Sequence, residues 1–133
     1  MLEVEQLTKR FGGLVAVKNL GFSVRGGEIL GLIGPNGSGK STAMRCVMGV
    51  DAPTAGAVRF EGRDIAGLPS HKVSRLGVGL VFQHSRPLNR QTVLENITLG
   101  PITVRRTPRA DAERRARELL NRVGIEAQAE KLP

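Results

Sequence analysis

The residues from Gly34 to Thr42 read Gly-Pro-Asn-Gly-Ser-Gly-Lys-Ser-Thr. Gly34, Gly39, Lys40 and Ser41 fit the spacing G-x-x-x-x-G-K-[ST], with Pro35, Asn36, Gly37 and Ser38 between the glycines. In such a loop successive backbone N–H groups cradle phosphates, the lysine reaches the outer phosphates and the hydroxyl holds Mg²⁺. The surroundings suit that chemistry. Ile29, Leu30, Leu32 and Ile33 form an apolar run of the kind expected for a parallel strand buried on both faces. After the loop, Ala43, Met44, Val47 and Met48 recur at helical spacing, and Gly49 is a natural stop. A turn that merely joined strand to helix would have no need of Lys-Ser at the helix start.

The chain has 133 residues, 40% of them hydrophobic, which sets one domain as the upper limit. Its single cysteine, Cys46, has no partner for an internal disulfide or a metal site and reads as a small core residue on the helix after the loop. The N-terminus does not resemble a signal peptide, and no apolar run approaches the ~18 residues needed to span a bilayer, so a cytosolic protein is expected. The formal charge of +8 first suggests nucleic acid. The aromatics argue against it. There is no Trp or Tyr, the four Phe are scattered, and no basic-aromatic interleaving for base stacking occurs. Seven arginines between Arg105 and Arg122 face three acidic residues, Asp111, Glu113 and Glu118. A solvated helix face is the plain reading; an anionic membrane surface or an acidic partner are the alternatives.

Elements on either side must position the loop. Leu2 and Val4, and later Leu20, Phe22 and Val24, alternate with polar or small residues and predict an antiparallel strand pair. Between them Lys9 to Gly13 has loop composition and places Phe11 at the surface. A turn at Arg25 to Glu28 precedes the apolar run. Beyond the helix a turn over Asp51 to Gly56, a short strand at Val58 and Phe60, and a turn over Glu61 to Asp64 are expected. A short helix then opens at Pro69-Ser70 and closes at Gly77. Val78 to Phe82 is a second apolar run of buried-strand type, ending in Gln83 and His84, where open α/β sheets place ligand-binding residues. Thr92 and Glu95 match a capping box, with Val93, Leu94 and Ile97 as the buried face of a helix ended by Gly100-Pro101. Thr107 and Pro108 read as N-cap and first residue of another helix, with Ala112, Ala116, Leu119, Leu120 and Val123 on one stripe and Gly124 as its end. Asp111/Arg115, Glu113/Arg117 and Glu118/Arg122 offer acid-first i,i+4 pairs.

The strands, the phosphate loop and the Phe82-Gln83 pair together resemble the nucleotide-binding subunits of ATP-binding-cassette (ABC) transporters. Lys9 to Val17, Gly34 to Thr42, Gly62 to Pro69 and Phe82 to His84 look most like the subunit of branched-chain amino acid importers, while Thr92 to Pro101 and the arginine-rich helix look as much like polar amino acid importers. The resemblance implies an α/β P-loop NTPase fold of the ABC type, incomplete here. Residues 1–91 would hold an antiparallel β-subdomain and part of the parallel-sheet core, and residues 92–133 the start of a helical subdomain. It implies ATP and Mg²⁺ as cofactors. Phe11 would stack on adenine with Val17 beside it. Gly34, Pro35, Asn36, Gly37, Ser38, Gly39, Lys40 and Thr42 would hold the phosphates, and Ser41 and Gln83 would meet Mg²⁺. Gln83 would also reach the attacking water, as the one catalytic residue within the chain.

The implied partners are a second ATP-binding subunit, transmembrane permease subunits contacting about His84 to Thr92 and, indirectly, a substrate-binding protein. The place is the cytoplasmic face of the plasma membrane. The family's signature, its Asp-Glu strand and its switch histidine would follow Pro133, so the chain is expected to be a fragment or a truncated product that binds ATP without hydrolysing it. The rival readings are an ABC protein of repair or translation, a small-molecule P-loop kinase, and a non-catalytic nucleotide-binding regulator.

Overall fold

A computed structural model describes residues 1–82 and 87–133. They divide into two units, Met1–Val81 and Phe82–Pro133.

The first unit is built on an antiparallel sheet. Strand β1 (Leu2–Phe11) turns through Gly12 and Gly13 into β2 (Leu14–Val24). The loop expected at Lys9 to Gly13 is thus only two residues long, and Phe11 ends a strand. Helix α1 (Lys40–Val47) follows, then β3 (Ala55–Phe60), the two-residue β4 (Arg63–Asp64) and helix α2 (Ser70–Arg75). The strand order is β2-β1-β3-β4. Strand β4 replaces part of the turn expected over Glu61 to Asp64, because Glu61 and Gly62 alone make the reversal and let Phe60 pair with Arg63. The core-facing residues of the long strands break strict alternation, since Val4 and Leu7 are three apart, as are Val17 and Leu20. A bulge at each gap restores the face, marked by positive φ at Gln6 and Asn19. The Thr8 hydroxyl accepts from the Asn19 N–H at 3.1 Å and so ties the two irregular points together.

Val4, Leu7, Val17 and Val58 of the sheet pack on Ala43, Cys46, Val47 and Met48 of the α1 segment, with Ile65 and Val73 closing the core. Cys46 is buried as expected, and burial pushes its thiol pKa up. Helix α1 ends at Gly49 in a left-handed turn, in which the Val50 N–H donates to the Arg45 carbonyl at 2.9 Å.

Two expected strands do not form. Residues 28–36 and 78–82 carry no ladder, and Ile29, Ile33 and Val81 are 97%, 95% and 96% exposed. An apolar run becomes a buried strand only where neighbouring strands take up its N–H and C=O groups, and the described sheet provides no parallel neighbour. The α/β fold class stands, as a partial domain whose sheet is antiparallel.

The second unit holds α3 (Val93–Thr103), α4 (Arg109–Arg122) and a 3₁₀ turn (Glu126–Gln128) that the sequence pattern does not announce. The capping box is present. The Glu95 N–H donates to the Thr92 hydroxyl at 3.2 Å, and the Thr92 N–H donates to the Glu95 carboxylate at 2.8 Å. The chain after the 3₁₀ turn supplies acceptors for the first turn of α3, with the Leu94 N–H on the Ala129 carbonyl and the Val93 N–H on the Lys131 carbonyl, both at 2.9 Å. Helix α3 runs past Gly100-Pro101. The proline forfeits its own N–H, but the turn beyond it closes with the Val104 N–H on the Gly100 carbonyl and the Thr103 hydroxyl on the Leu99 carbonyl. Helix α4 starts one residue later than expected, with Pro108 as its N-cap. Leu94, Ala116, Leu120 and Ala129 form the core of this unit, whereas Leu119 and Val123 of the expected stripe are exposed.

The ion pairs of α4 are Arg109–Glu113, Asp111–Arg114, Arg115–Glu118 and Arg117–Glu130 rather than the three acid-first pairs expected. With an arginine beside nearly every carboxylate, exposed partners differ little in energy, and such pairs contribute little to stability.

Candidate functional site

The loop between the first apolar run and α1 closes on its own lysine. The Lys40 ammonium donates to the carbonyls of Gly34 and Pro35, both at 2.6 Å, and lies 3.4 Å from the Ser38 hydroxyl. A turn from Pro35 to Ser38 sets the curvature, with the Ser38 N–H on the Pro35 carbonyl at 3.2 Å. Gly39 is the N-cap of α1 in a left-handed conformation, φ +89°, and a Cβ there would meet the Ala16 carbonyl oxygen at 2.2 Å. Only a glycine lets the loop lie this closely on β2.

The first intrahelical bond of α1 runs from the Ala43 N–H to the Gly39 carbonyl at 2.8 Å, which leaves the N–H groups of Lys40, Ser41 and Thr42 ahead of the ladder. Neither a side-chain cap nor an acidic residue occupies this first turn. Those N–H groups and the positive end of the helix dipole favour an anion at this end of α1.

A cavity of about 530 Å³ opens here. It is walled by Val15, Ala16, Val17, Lys18 and Leu20 of β2, by Leu32 and Ile33 of the apolar run, and by Gly34, Pro35, Gly37, Ser38, Gly39, Lys40 and Ala43. Among the described residues, Lys18 and Lys40 are the charged residues that line it, and no Asp or Glu does. A polyphosphate fits this lining, with the Lys40 ammonium and the loop backbone on one wall and the aliphatic residues of β2 on the other. The structure therefore brings Val17, Gly34, Pro35, Gly37, Ser38, Gly39 and Lys40 into one cavity. Asn36, Ser41 and Thr42 belong to the same loop and helical turn without lining it.

Phe11 lies at the tip of the β1–β2 hairpin, one residue beyond the Arg10/Val15 pair, half-exposed and outside the lining. The Lys9 ammonium sits 4.8 Å from the centroid of its ring. Gln83 and His84 fall outside the described residues. Among the described residues no group of three or more His, Cys, Asp or Glu could hold a metal ion.

Two parts of this arrangement escape motif reading. Lys18 lines the cavity because β2 runs from Leu14 past the loop, and the apolar Leu14 to Val17 run was the available signal. In the second unit Asn96 fixes the segment before α3. Its side-chain oxygen accepts from the Leu88 N–H at 2.7 Å, and its amide nitrogen donates to the carbonyls of Leu88, Gln91 and Thr92 at 3.1, 3.1 and 2.9 Å.

The family model for ABC transporters matches residues 17–133. The chain belongs to the ABC transporter family. An ABC relative from Pseudomonas aeruginosa, the high-affinity branched-chain amino acid transport ATP-binding protein BraF, is 44% identical over 75% of the chain. The methionine import ATP-binding protein MetN of Brucella abortus is 38% identical over all of it. The chain spans 39% and 36% of the length of these two proteins. Among solved structures, a dimeric ATP-binding cassette in a post-hydrolysis state with ADP and Pi aligns with a TM-score of 0.86 at 29% identity, over the whole chain and 62% of the cassette. A nucleotide-free cassette from an ABC transporter aligns at 0.81 with 28% identity, over 98% of the chain and 56% of the cassette. The ABC fold thus accounts for the antiparallel sheet, the loop and α1, and both helices of the second unit. No described helix is long and apolar enough to cross a membrane.

Proposed function

We propose that this chain is the ATP-binding part of an ABC import system for amino acids, with branched-chain amino acids favoured. The observation that carries the reading is the cavity beside α1, where a glycine-tight loop, an uncapped helix start and the Lys40 ammonium meet with no Asp or Glu among the described lining residues. In this reading the loop from Gly34 to Gly39, with Lys40 and Thr42, holds the phosphates of ATP. Ser41 and Gln83 meet Mg²⁺, and Phe11 and Val17 take the adenine. The bound magnesium ion would supply charge neutralisation between the outer phosphates. The residues of the chain bind and orient the nucleotide. Proton abstraction from an attacking water needs a base, and the cavity lining contains none, so binding without turnover is expected of these residues alone.

The proposed partners are a second ATP-binding subunit, permease subunits contacting about His84 to Thr92 and, through them, a substrate-binding protein. The proposed place is the cytoplasmic side of the membrane. The identity of 44% to the branched-chain protein favours that substrate class, while the match to MetN over the whole of this chain keeps methionine as the second reading. Deleting the coding sequence and following uptake of labelled leucine and labelled methionine side by side tests the choice. Loss of leucine uptake with methionine uptake intact is expected. The reverse pattern would assign methionine, and no change in either would remove the import reading.

A further inference from the structure

Lys9 has no part in the site described above, yet its ammonium has two partners. Lys9 and Phe11 are two apart on β1 and so share a face. The ammonium lies 4.8 Å from the ring centroid, inside the range of a cation–π contact. It also donates to the Ala52 carbonyl at 2.7 Å. Ala52 lies in the segment that leaves α1, and two further bonds fasten that segment to the same strand end. The Thr54 N–H donates to the Thr8 carbonyl at 2.8 Å, and the Arg10 N–H donates to the Thr54 hydroxyl at 3.0 Å. Its start is held in turn by Arg45, whose guanidinium meets both carboxylate oxygens of Asp51 at 2.6 and 3.2 Å. The tip that carries Phe11 is therefore stapled to the helix that carries Lys40.

A phenyl ring has no hydroxyl with which to anchor itself, and Phe11 is 48% exposed. With the ammonium on one face, only the opposite face is open to a flat ligand. We infer that Lys9 is a positioning residue for nucleotide binding: it fixes the ring plane of Phe11 and leaves a single face on which a nucleobase stacks. The inference rests on reading the neighbouring cavity as a nucleotide site. It assigns Lys9 to the base end of the ligand alone, since its contacts reach neither the loop nor Lys40.

The experiment measures binding of MgATP and of magnesium tripolyphosphate, which lacks the base, to the parent chain and to Lys9→Met and Lys9→Arg, each with Phe11 intact and with Phe11→Ala. Lys9→Met should weaken MgATP about two- to fivefold, the size of an exposed cation–π contact, and leave tripolyphosphate unchanged. Lys9→Arg should restore MgATP affinity, because a guanidinium also stacks on an aromatic face. With Phe11→Ala in place, Lys9→Met should have no further effect. Equal weakening of both probes, or an effect that persists without Phe11, would overturn the positioning role. A parent chain that binds neither probe would overturn the nucleotide-site reading itself, and this inference with it. Tight tripolyphosphate binding together with an MgATP affinity left unchanged by Phe11→Ala would overturn the base contact and leave the phosphate site standing.

Discussion

Replacing Gly39 by alanine should be far more damaging than the same change at Gly37, although both glycines lie in the same loop with nearly the same φ. Their φ values are +89° and +83°, so each substitution incurs the left-handed penalty of about 1–2 kcal/mol and the same small gain from a stiffer unfolded chain. What differs is the space. A Cβ on Gly37 meets nothing within 4 Å, whereas one on Gly39 would lie 2.2 Å from the Ala16 carbonyl oxygen and 3.1 Å from Val17 Cγ2. Backbone cannot swing aside as a side chain can, so the loop and β2 must separate, an overpacking strain of about 1–3 kcal/mol. The difference between the variants should therefore be about 1–3 kcal/mol, or roughly 5–20 °C in Tm for a unit of this size. Thermal and urea melts of the two variants measured together provide the assay. If Gly39→Ala and Gly37→Ala melt alike, the close seating of the loop on β2 is wrong, and so is the cavity wall it builds.

Three further outcomes are expected. Thr92→Ala removes the hydroxyl that accepts the Glu95 N–H and should destabilise the second unit by about 1 kcal/mol, read from urea melts. Asn96→Ala deletes a side chain bonded to Leu88, Gln91 and Thr92, so hydrogen exchange at the Leu88 amide should accelerate at least ~10-fold while the Leu120 amide keeps its protection. The Arg45 guanidinium, by hydrogen bond first and charge second, holds the Asp51 carboxyl below the ordinary aspartate value. A lowered carboxyl pKa contributes stability that is fully present above the unfolded value of about 4 and lost as pH falls through the folded one. The stability gap between the parent and Asp51→Asn should accordingly be constant from pH 7 to 5 and shrink below pH 4 in melts across that range.

Features governed by local chemistry are the ones that the sequence made legible. The Thr92–Glu95 box, the left-handed stops at Gly49, Gly77 and Gly124, and the start of α1 after Gly39 all depend on residues within one turn of each other. Features that depend on distant partners were not legible. The run from Ile29 to Ile33 has the composition of a buried strand, but pairing is a property of its neighbours, and the described chain gives it none. The bulges at Gln6 and Asn19 follow from two core faces having to meet, which neither strand reveals alone. Pro101 stands inside α3 because the bonds beyond it close the helix again, a balance that a residue preference misses. At the site, the loop was read from its spacing, while Lys18 and Ala16 reached the cavity only through the long strand β2.

The central claim is that the Lys40 ammonium and the uncapped start of α1 hold the phosphates of a nucleotide. Isothermal titration of the purified chain and of Lys40→Ala with MgATP tests it most directly, with a melt of each to show that both are folded. Removing a charge-assisted contact costs about 1.5–3 kcal/mol, so saturable one-site binding by the parent should weaken by roughly ten- to over a hundredfold in the variant. The melt should move little, because the carbonyls of Gly34 and Pro35 that the ammonium releases lie on an exposed loop. An unchanged dissociation constant in a folded Lys40→Ala chain would contradict the account.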